Sequence, residues 1–177
     1  MKTFKPATVF ACVALLAAQA VSAGSLPFTT APASTSLTKD NLVDILHSMG
    51  YDPSPRGNGD FWISAPLFGK TQSIGVGMSK DSTRLWIYAK IGTLPNLAGI
   101  PAATFSKLLL ANEQYAPAYF SIERCEKCNA DGRYLVWFND SLENRGITPA
   151  TLRAAVDSLV KNLTKSVDVW DDKNLTR

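Results

Sequence analysis

Large apolar side chains recur at steps of three and four residues between Thr148 and Trp170. The positions on this stripe are Leu152, Val156, Leu159, Leu163, Val167 and Trp170. This spacing places them on one side of a helix, which another element of the fold must cover. Thr148 can cap the free backbone donors of the first turn, and Pro149 lacks a donor that would be unpaired there. The pattern therefore predicts a long C-terminal helix that packs on a sheet.

Two shorter helices are predicted earlier in the chain. Thr38 suits the cap of a first helix, and Gly50 suits its end. Its apolar stripe consists of Leu42, Ile45, Leu46 and Met49. Pro101 suits the first position of a second helix, which continues to Glu113. The apolar side of this helix is predicted to contain Phe105, Leu108 and Leu109.

From Asp60 the apolar pattern changes to a period of two, which is typical of half-buried strands. The apolar positions of the first three strands are Phe61, Ile63, Ala65 and Leu67, then Ile74, Val76 and Met78, then Leu85, Ile87, Ala89 and Ile91. Turns at Gly69 and at 80–83 join these strands into a meander. Residues 118–123 and 133–138 are predicted to form two more strands. Residues 51–59 are predicted to be a loop, and residues 139–146 a turn.

The predicted order is helix, three strands, helix, two strands and helix. Short connections and the lack of a long crossover favour antiparallel pairing. The sequence thus predicts an α+β domain with a single antiparallel five-stranded sheet and helices packed on it. This domain is expected to cover residues 37–171, followed by a tail at 172–177.

The N-terminus is predicted to direct export. Lys2 and Lys5 precede an apolar run, and small residues before Gly24 suit cleavage after Ala23, so residues 1–23 are typical of a signal peptide. Residues 24–36 are rich in Ser, Thr, Pro and Ala and indicate a flexible linker. The apolar run is too short for a stable membrane span. A periplasmic or secreted protein is therefore expected.

Charge changes the picture once the signal peptide is removed. The whole chain has 18 basic and 15 acidic residues, so losing two lysines leaves 16 minus 15, or a net charge of +1. A nucleic-acid-binding protein would carry a strongly basic face. The composition therefore argues against a nucleic-acid partner.

Cys125 and Cys128 form the most conspicuous motif, in a polar loop between two predicted strands. In an oxidising compartment such a pair favours a disulfide across the hairpin loop. Two alternatives stay open: a redox-active dithiol, and a metal ion that bridges two chains. A redox cysteine would preferably sit at a helix N-terminus, and a zinc site within one chain needs four ligands.

Other candidate chemistry is weak. His47 is the only histidine, so it has no histidine partner for a metal site and is interpreted as a boundary residue of the first helix. Gly75 and Gly77 lie in a strand without the third glycine and following helix of a phosphate loop. No Gly-x-Ser-x-Gly elbow is present. No catalytic residue, metal or cofactor is therefore predicted.

The second side of the predicted sheet carries large aromatic residues. If the apolar positions above face the helices, Trp62, Trp86 and Tyr88 face away, flanked by Arg84 and Lys90. An exposed aromatic patch of this kind is unusual for a monomer, and Trp and Tyr often anchor interfaces. These five residues are therefore candidates for partner binding. The alternatives are that a helix or the linker of the same chain covers the patch, or that it binds a carbohydrate or small ligand.

The pattern also resembles a known family. The runs at 108–112, 119–122 and 134–138, with a last helix closing on Trp170, look like the type III secretion chaperone-like superfamily and its YbjN-like group, labelled bacterial sensory transduction regulators. The resemblance covers residues 37–170. It implies a fold used for binding an extended segment of another protein, often as a homodimer. The secretion chaperones are typically acidic and cytosolic, whereas this chain is nearly neutral and carries a predicted signal.

Three functional hypotheses follow. The leading one is an exported, non-enzymatic module that binds a protein or peptide through the aromatic patch or an exposed strand edge. The second is a thiol–disulfide redox protein that uses Cys125 and Cys128. The third is a structural protein of the cell envelope.

Overall fold

The structure is a computed structural model that describes residues 36–57, 59–67, 69–94, 97–98, 100–125 and 133–170, with only the backbone of Trp170 described. The predicted signal peptide, most of the predicted linker, Cys128 and the predicted tail lie outside the described residues. The described residues all belong to one compact unit of the chain. No helix among them is long and apolar enough to cross a membrane.

Four helices and six strands make up the described fold. In chain order they are α1 Lys39–Ser48, β1 Ser54–Pro55, β2 Phe61–Leu67, β3 Lys70–Met78, β4 Arg84–Leu94, α2 Ala102–Gln114, β5 Tyr119–Arg124, β6 Tyr134–Glu143, α3 Pro149–Lys165 and α4 Val167–Trp170. The strands form one antiparallel sheet in the order β1-β2-β3-β4-β6-β5. The α+β class and the single antiparallel sheet are therefore confirmed.

The prediction of five strands is wrong, because the sheet has six. The additional strand β1 lies within the predicted loop at 51–59, where Ser54 pairs with Trp62 and Pro55 with Phe61. Two residues are too few to show an alternating pattern, and proline is tolerated only at a sheet edge. The element order therefore gains a strand after the first helix.

The turn predicted at 139–146 is also partly wrong, because β6 continues to Glu143. Asn139, Asp140 and Ser141 are turn-forming residues, yet they pair with Tyr88, Ile87 and Trp86 of β4. The eleven-residue β4 offers backbone partners along this whole segment. Cross-strand pairing therefore overrides the local preference.

The predicted C-terminal helix begins as expected and ends early. Thr148 accepts a hydrogen bond from the Thr151 backbone, and Thr151 returns one to the Thr148 backbone, which completes a capping box. The helix stops at Ser166, whose hydroxyl donates to the Leu163 carbonyl, and a short α4 follows. The break turns Val167 outward, with 37% of its surface exposed, so its predicted place on the buried stripe is wrong.

The hydrophobic core lies between one face of the sheet and the helices. Helix α3 packs across β2, β4 and β6, and α2 packs on β5. The largest fully buried side chains are Phe138, Leu42, Leu46, Ile63, Ile74, Leu85, Ile87, Leu94, Leu152, Leu159, Leu163 and Val76. On α2, Leu108 is buried as predicted, whereas Leu109 is 70% exposed and its predicted burial is wrong. We call the opposite side of the sheet the outer face.

Candidate aromatic binding face

Three aromatic side chains meet at the centre of the outer face. Cross-strand pairing places Trp62 beside Gly75, Gly75 beside Tyr88, and Trp137 beside Lys90. The Tyr88 ring lies 5.5 Å from the Trp62 ring and 5.5 Å from the Trp137 ring, with edge-to-face geometry in both pairs. Such pairs contribute about 0.5–1.5 kcal/mol each beyond the area they bury. We call Trp62, Tyr88 and Trp137 the aromatic cluster.

Two glycines of β3 make room for this arrangement. A Cβ atom at Gly75 would lie 2.2 Å from Cε2 of Tyr88, so the phenol ring rests directly on the strand backbone. A Cβ atom at Gly77 would lie 2.0 Å from Oδ1 of Asp60. Glycine in a strand often marks such a close approach. The glycine pair thus clears the outer face for Tyr88 and Asp60.

The substitution Gly75→Ala is expected to lower the free energy of unfolding by about 1–3 kcal/mol, because the new methyl group forces the Tyr88 ring away. The near-ultraviolet circular dichroism of the neighbouring indoles should change with it. The control is Gly57→Ala, since nothing lies within 4 Å of a Cβ atom there. Equal stability and unchanged dichroism in the Gly75 variant would contradict this account.

The connection between β1 and β2 folds over the aromatic cluster. The Arg56 guanidinium lies 4.6 Å from the Trp62 ring centre and 6.0 Å from that of Trp137. The Arg56 backbone donates to the Asp60 carbonyl at 2.8 Å, and Asp60 Oδ2 accepts the Tyr88 hydroxyl at 2.6 Å. The sequence pattern predicts a loop at 51–59 and a strand pattern from Asp60, and it gives no role to either residue. Arg56 and Asp60 therefore hold the cluster from the solvent side.

Burial raises the pKa of Tyr88, and both the hydrogen bond and the negative charge of Asp60 raise it further, with Arg56 opposing. A phenol whose pKa is higher in the folded state stabilises the fold below its unfolded pKa, which is about 10. That stability is lost as the pH rises above the unfolded value.

Near pH 11, a value about one unit above the ordinary tyrosine pKa, the folded chain should show the same tyrosinate absorbance as its Tyr88→Phe variant. The reason is that Tyr88 stays protonated until the fold opens. Spectrophotometric titration measures this directly. A variant signal smaller by one tyrosine equivalent would contradict the prediction.

Trp137 is the member of the cluster that sequence reasoning did not assign to this face. Its side chain is only 8% exposed, and its indole nitrogen donates to Oε2 of Glu123 at 3.0 Å. The run Tyr134 to Phe138 is apolar throughout, so the pattern alone does not reveal which residues point outward. The alternation of side chains along a strand could have identified Trp137. Phe138 belongs to the core, so its neighbour Trp137 must face the other side of the sheet.

The remaining predicted residues also lie on the outer face. Trp86 is half-buried in the next row, with Gly77 and Ser141 as its register partners. Arg84 lies at one end of β4, where its guanidinium donates to the Ser141 hydroxyl at 3.1 Å and Glu143 is its register partner. Lys90 is exposed farther along the same strand. All five predicted residues therefore share one side of the sheet.

An open depression of about 480 Å³ lies beside Trp62. The described residues that line it are Ser54, Trp62, Thr71, Gln72, Ser73 and Lys90. The amide of Gln72 donates to the carbonyls of Ser73 and Lys90 and so fixes one wall. The depression combines one indole, several hydroxyl groups and a single charged group.

The cysteine motif lies at the end of β5. Cys125 donates its backbone N–H to the Arg133 carbonyl at 2.9 Å, so it closes a hairpin and does not begin a helix. Cys128 lies outside the described residues, so the predicted disulfide between Cys125 and Cys128 stays a proposal. No group of three potential metal-ligating side chains occurs within the described ranges. His47 is exposed in the last turn of α1.

Comparison with known proteins establishes the fold. No family model and no curated protein matches the chain. The structure of YbjN from E. coli is similar, with a TM-score of 0.56, 11% identity, and coverage of 76% of this chain and 91% of YbjN. An uncharacterized protein from Methanothermobacter thermautotrophicus gives a TM-score of 0.50 at 11% identity, covering 76% of this chain and 97% of that protein.

A third similar structure is the HopA1–SchA chaperone–effector complex, with a TM-score of 0.45, 14% identity, and coverage of 76% of this chain and 93% of the matched chain. The match to YbjN confirms the YbjN-like fold that the sequence pattern predicted. At this level of identity the likeness concerns the fold alone.

Proposed function

We propose that the chain is a non-enzymatic module that binds a protein or peptide, and that the outer face is its binding surface. The observation that carries the proposal is the aromatic cluster. Trp62 and Tyr88 are half-buried on the side of the sheet opposite the described helices, and Trp86 lies in the next row. Tryptophan and tyrosine bury large areas at a low entropic cost and dominate many interfaces.

The cluster is already ordered without a partner. Tyr88 is held by two ring contacts, by the Asp60 carboxylate and by the backbone at Gly75. Arg56 is positioned over Trp62. Binding to groups that are already in place loses less side-chain freedom than binding to mobile ones. The outer face is therefore suited to recognition.

The proposed partner is a protein or an extended peptide, and a second copy of the chain is one candidate. The described residues provide no support for the rival redox hypothesis, since Cys125 follows a strand.

Affinity purification and measurement of oligomeric mass test the proposed surface. The double substitution Trp62→Ser and Trp86→Ser should remove bound partners or lower the mass, because it deletes two of the anchoring indoles. The matched control is Leu110→Ser, which removes an apolar group that is 67% exposed on α2. Retained partners and an unchanged mass in the double variant would count against the proposal.

Export is part of the same proposal. Residues 1–23 act as a cleaved signal peptide, residues 24–36 link the domain to the new N-terminus, and the protein works in the periplasm or outside the cell. In a bacterial host the full chain should yield a periplasmic product that begins at Gly24, which intact mass and N-terminal sequencing would show. A full-length cytoplasmic product would contradict export and leave the binding proposal intact.

A further inference from the structure

The acidic and basic groups of the outer face differ in what they contact. Two carboxylates near its centre bind members of the aromatic cluster. Asp60 accepts the Tyr88 hydroxyl at 2.6 Å, and Glu123 accepts the Trp137 indole N–H at 3.0 Å. A carboxylate that already accepts such bonds has less capacity to receive a donor from a ligand. These two carboxylates therefore help to position the rings of the aromatic cluster.

The basic groups of the same face differ from each other in their surroundings. Arg56 lies over the Trp62 ring, and Lys90 is exposed at the wall of the depression beside that ring. Lys90 is the only charged residue among the described residues that line the depression. At the other end of β4 the situation differs, because Arg84 has Glu143 as its register partner. Lys90 is therefore the charged group that a ligand in the depression would meet.

We infer that the depression between Trp62 and Lys90 receives an acidic side chain of the bound peptide, so that the partner segment is rich in Asp and Glu. This inference rests on the proposed function. The side chains of Thr71 and Ser73 also line the depression, and their hydroxyl groups can donate to a carboxylate. The Lys90 ammonium supplies the charge, and the Trp62 ring supplies an apolar wall for the side-chain stem.

The expected magnitude follows from the exposure of Lys90. An exposed ion pair contributes modestly, so Lys90→Gln should weaken binding of an acidic peptide about three- to fivefold. A charge at the rim of an interface acts mainly on the association rate and on its dependence on salt. The loss should therefore shrink as the salt concentration rises.

A displayed library of random peptides tests the inference on the full chain. The library is selected on the wild-type protein and in parallel on the variants Trp62→Ser, Lys90→Glu and Lys161→Gln. Lys161 is an exposed lysine on α3, so its variant also removes a lysine charge, but away from the outer face. Sequencing of each selected pool gives its content of Asp and Glu relative to the starting library.

The inference expects the wild-type pool and the Lys161→Gln pool to be enriched about twofold in acidic residues, the scale of a weak exposed ion pair. The Lys90→Glu pool should lose this enrichment. Peptides from the wild-type pool should also bind the Trp62→Ser protein weakly. A wild-type pool that depends on Trp62 but is not acidic, or an acidic enrichment that survives Lys90→Glu, overturns the inference and leaves the proposed function in place.

Loss of the proposed function has a different signature. If selected peptides bind the Trp62→Ser protein as tightly as the wild type, or if no peptide is enriched at all, the outer face is not a peptide-binding surface. The inference then fails with it.

Discussion

Replacing Leu159 by alanine is expected to lower the free energy of unfolding by about 2–5 kcal/mol. Leu159 lies on the buried stripe of α3, is 0% exposed, and belongs to the core that the helix forms with the sheet. Removing its isobutyl group loses the transfer free energy of the buried carbons and leaves a cavity that the packed strands cannot fill. Denaturant unfolding of the full chain and of the variant measures the difference.

The same chemical change at an exposed site is the control. Leu110 is 67% exposed on α2, so Leu110→Ala should change the stability by no more than about 0.5 kcal/mol. Similar losses for the two variants would mean that α3 does not cover the sheet as described. A large loss for Leu110→Ala alone would indicate that α2 is covered in solution.

The helices were predictable because their signals are local. The apolar stripe from Leu152 to Leu163 is buried as its spacing predicts, and Thr148 and Pro149 begin the helix. Thr38 caps α1 by accepting a hydrogen bond from Asn41, and Gly50 follows with the positive φ expected at a helix end. Each of these features is decided by residues within a few positions of one another.

The strands were predictable in kind but less so in extent. Alternation correctly placed the apolar residues of β2, β3 and β4 on the core side. It could not show β1, which has two residues, or the extension of β6 through Asn139 and Ser141. Strand length in these cases depends on partner strands that are far away in sequence, and short-range propensities do not contain that information.

The candidate site was likewise predictable only where local sequence decides the structure. The parity of β2 and β4 was enough to put Trp62, Trp86 and Tyr88 on the outer face. The contacts of Arg56 and Asp60 with those rings depend on how a loop folds back over the sheet, which no periodicity reports. The role of Gly75 becomes clear only from the register that puts it beneath Tyr88.

Replacing Asn144 by alanine is expected to lower the free energy of unfolding by about 2–4 kcal/mol, because it leaves buried backbone groups without partners. Asn144 is 3% exposed; its carbonyl oxygen accepts from the Leu37 N–H at 2.9 Å, and its amide donates to the Leu37 carbonyl at 3.0 Å. The amide also donates to the Ser82 carbonyl at 2.9 Å. One side chain thus ties the segment before α1 to the turn between β3 and β4.

Hydrogen exchange separates this role from a general loss of packing. In the Asn144→Ala variant the Leu37 amide should exchange faster relative to the core amides of β4, since its acceptor is gone. Asn144→Asp should not restore stability, because a carboxylate offers no donor to the carbonyls of Leu37 and Ser82. The control Asn41→Ala changes an exposed asparagine on α1 and should alter the stability by no more than about 0.5 kcal/mol. Unchanged protection at Leu37 in the alanine variant would show that Asn144 does not hold this segment.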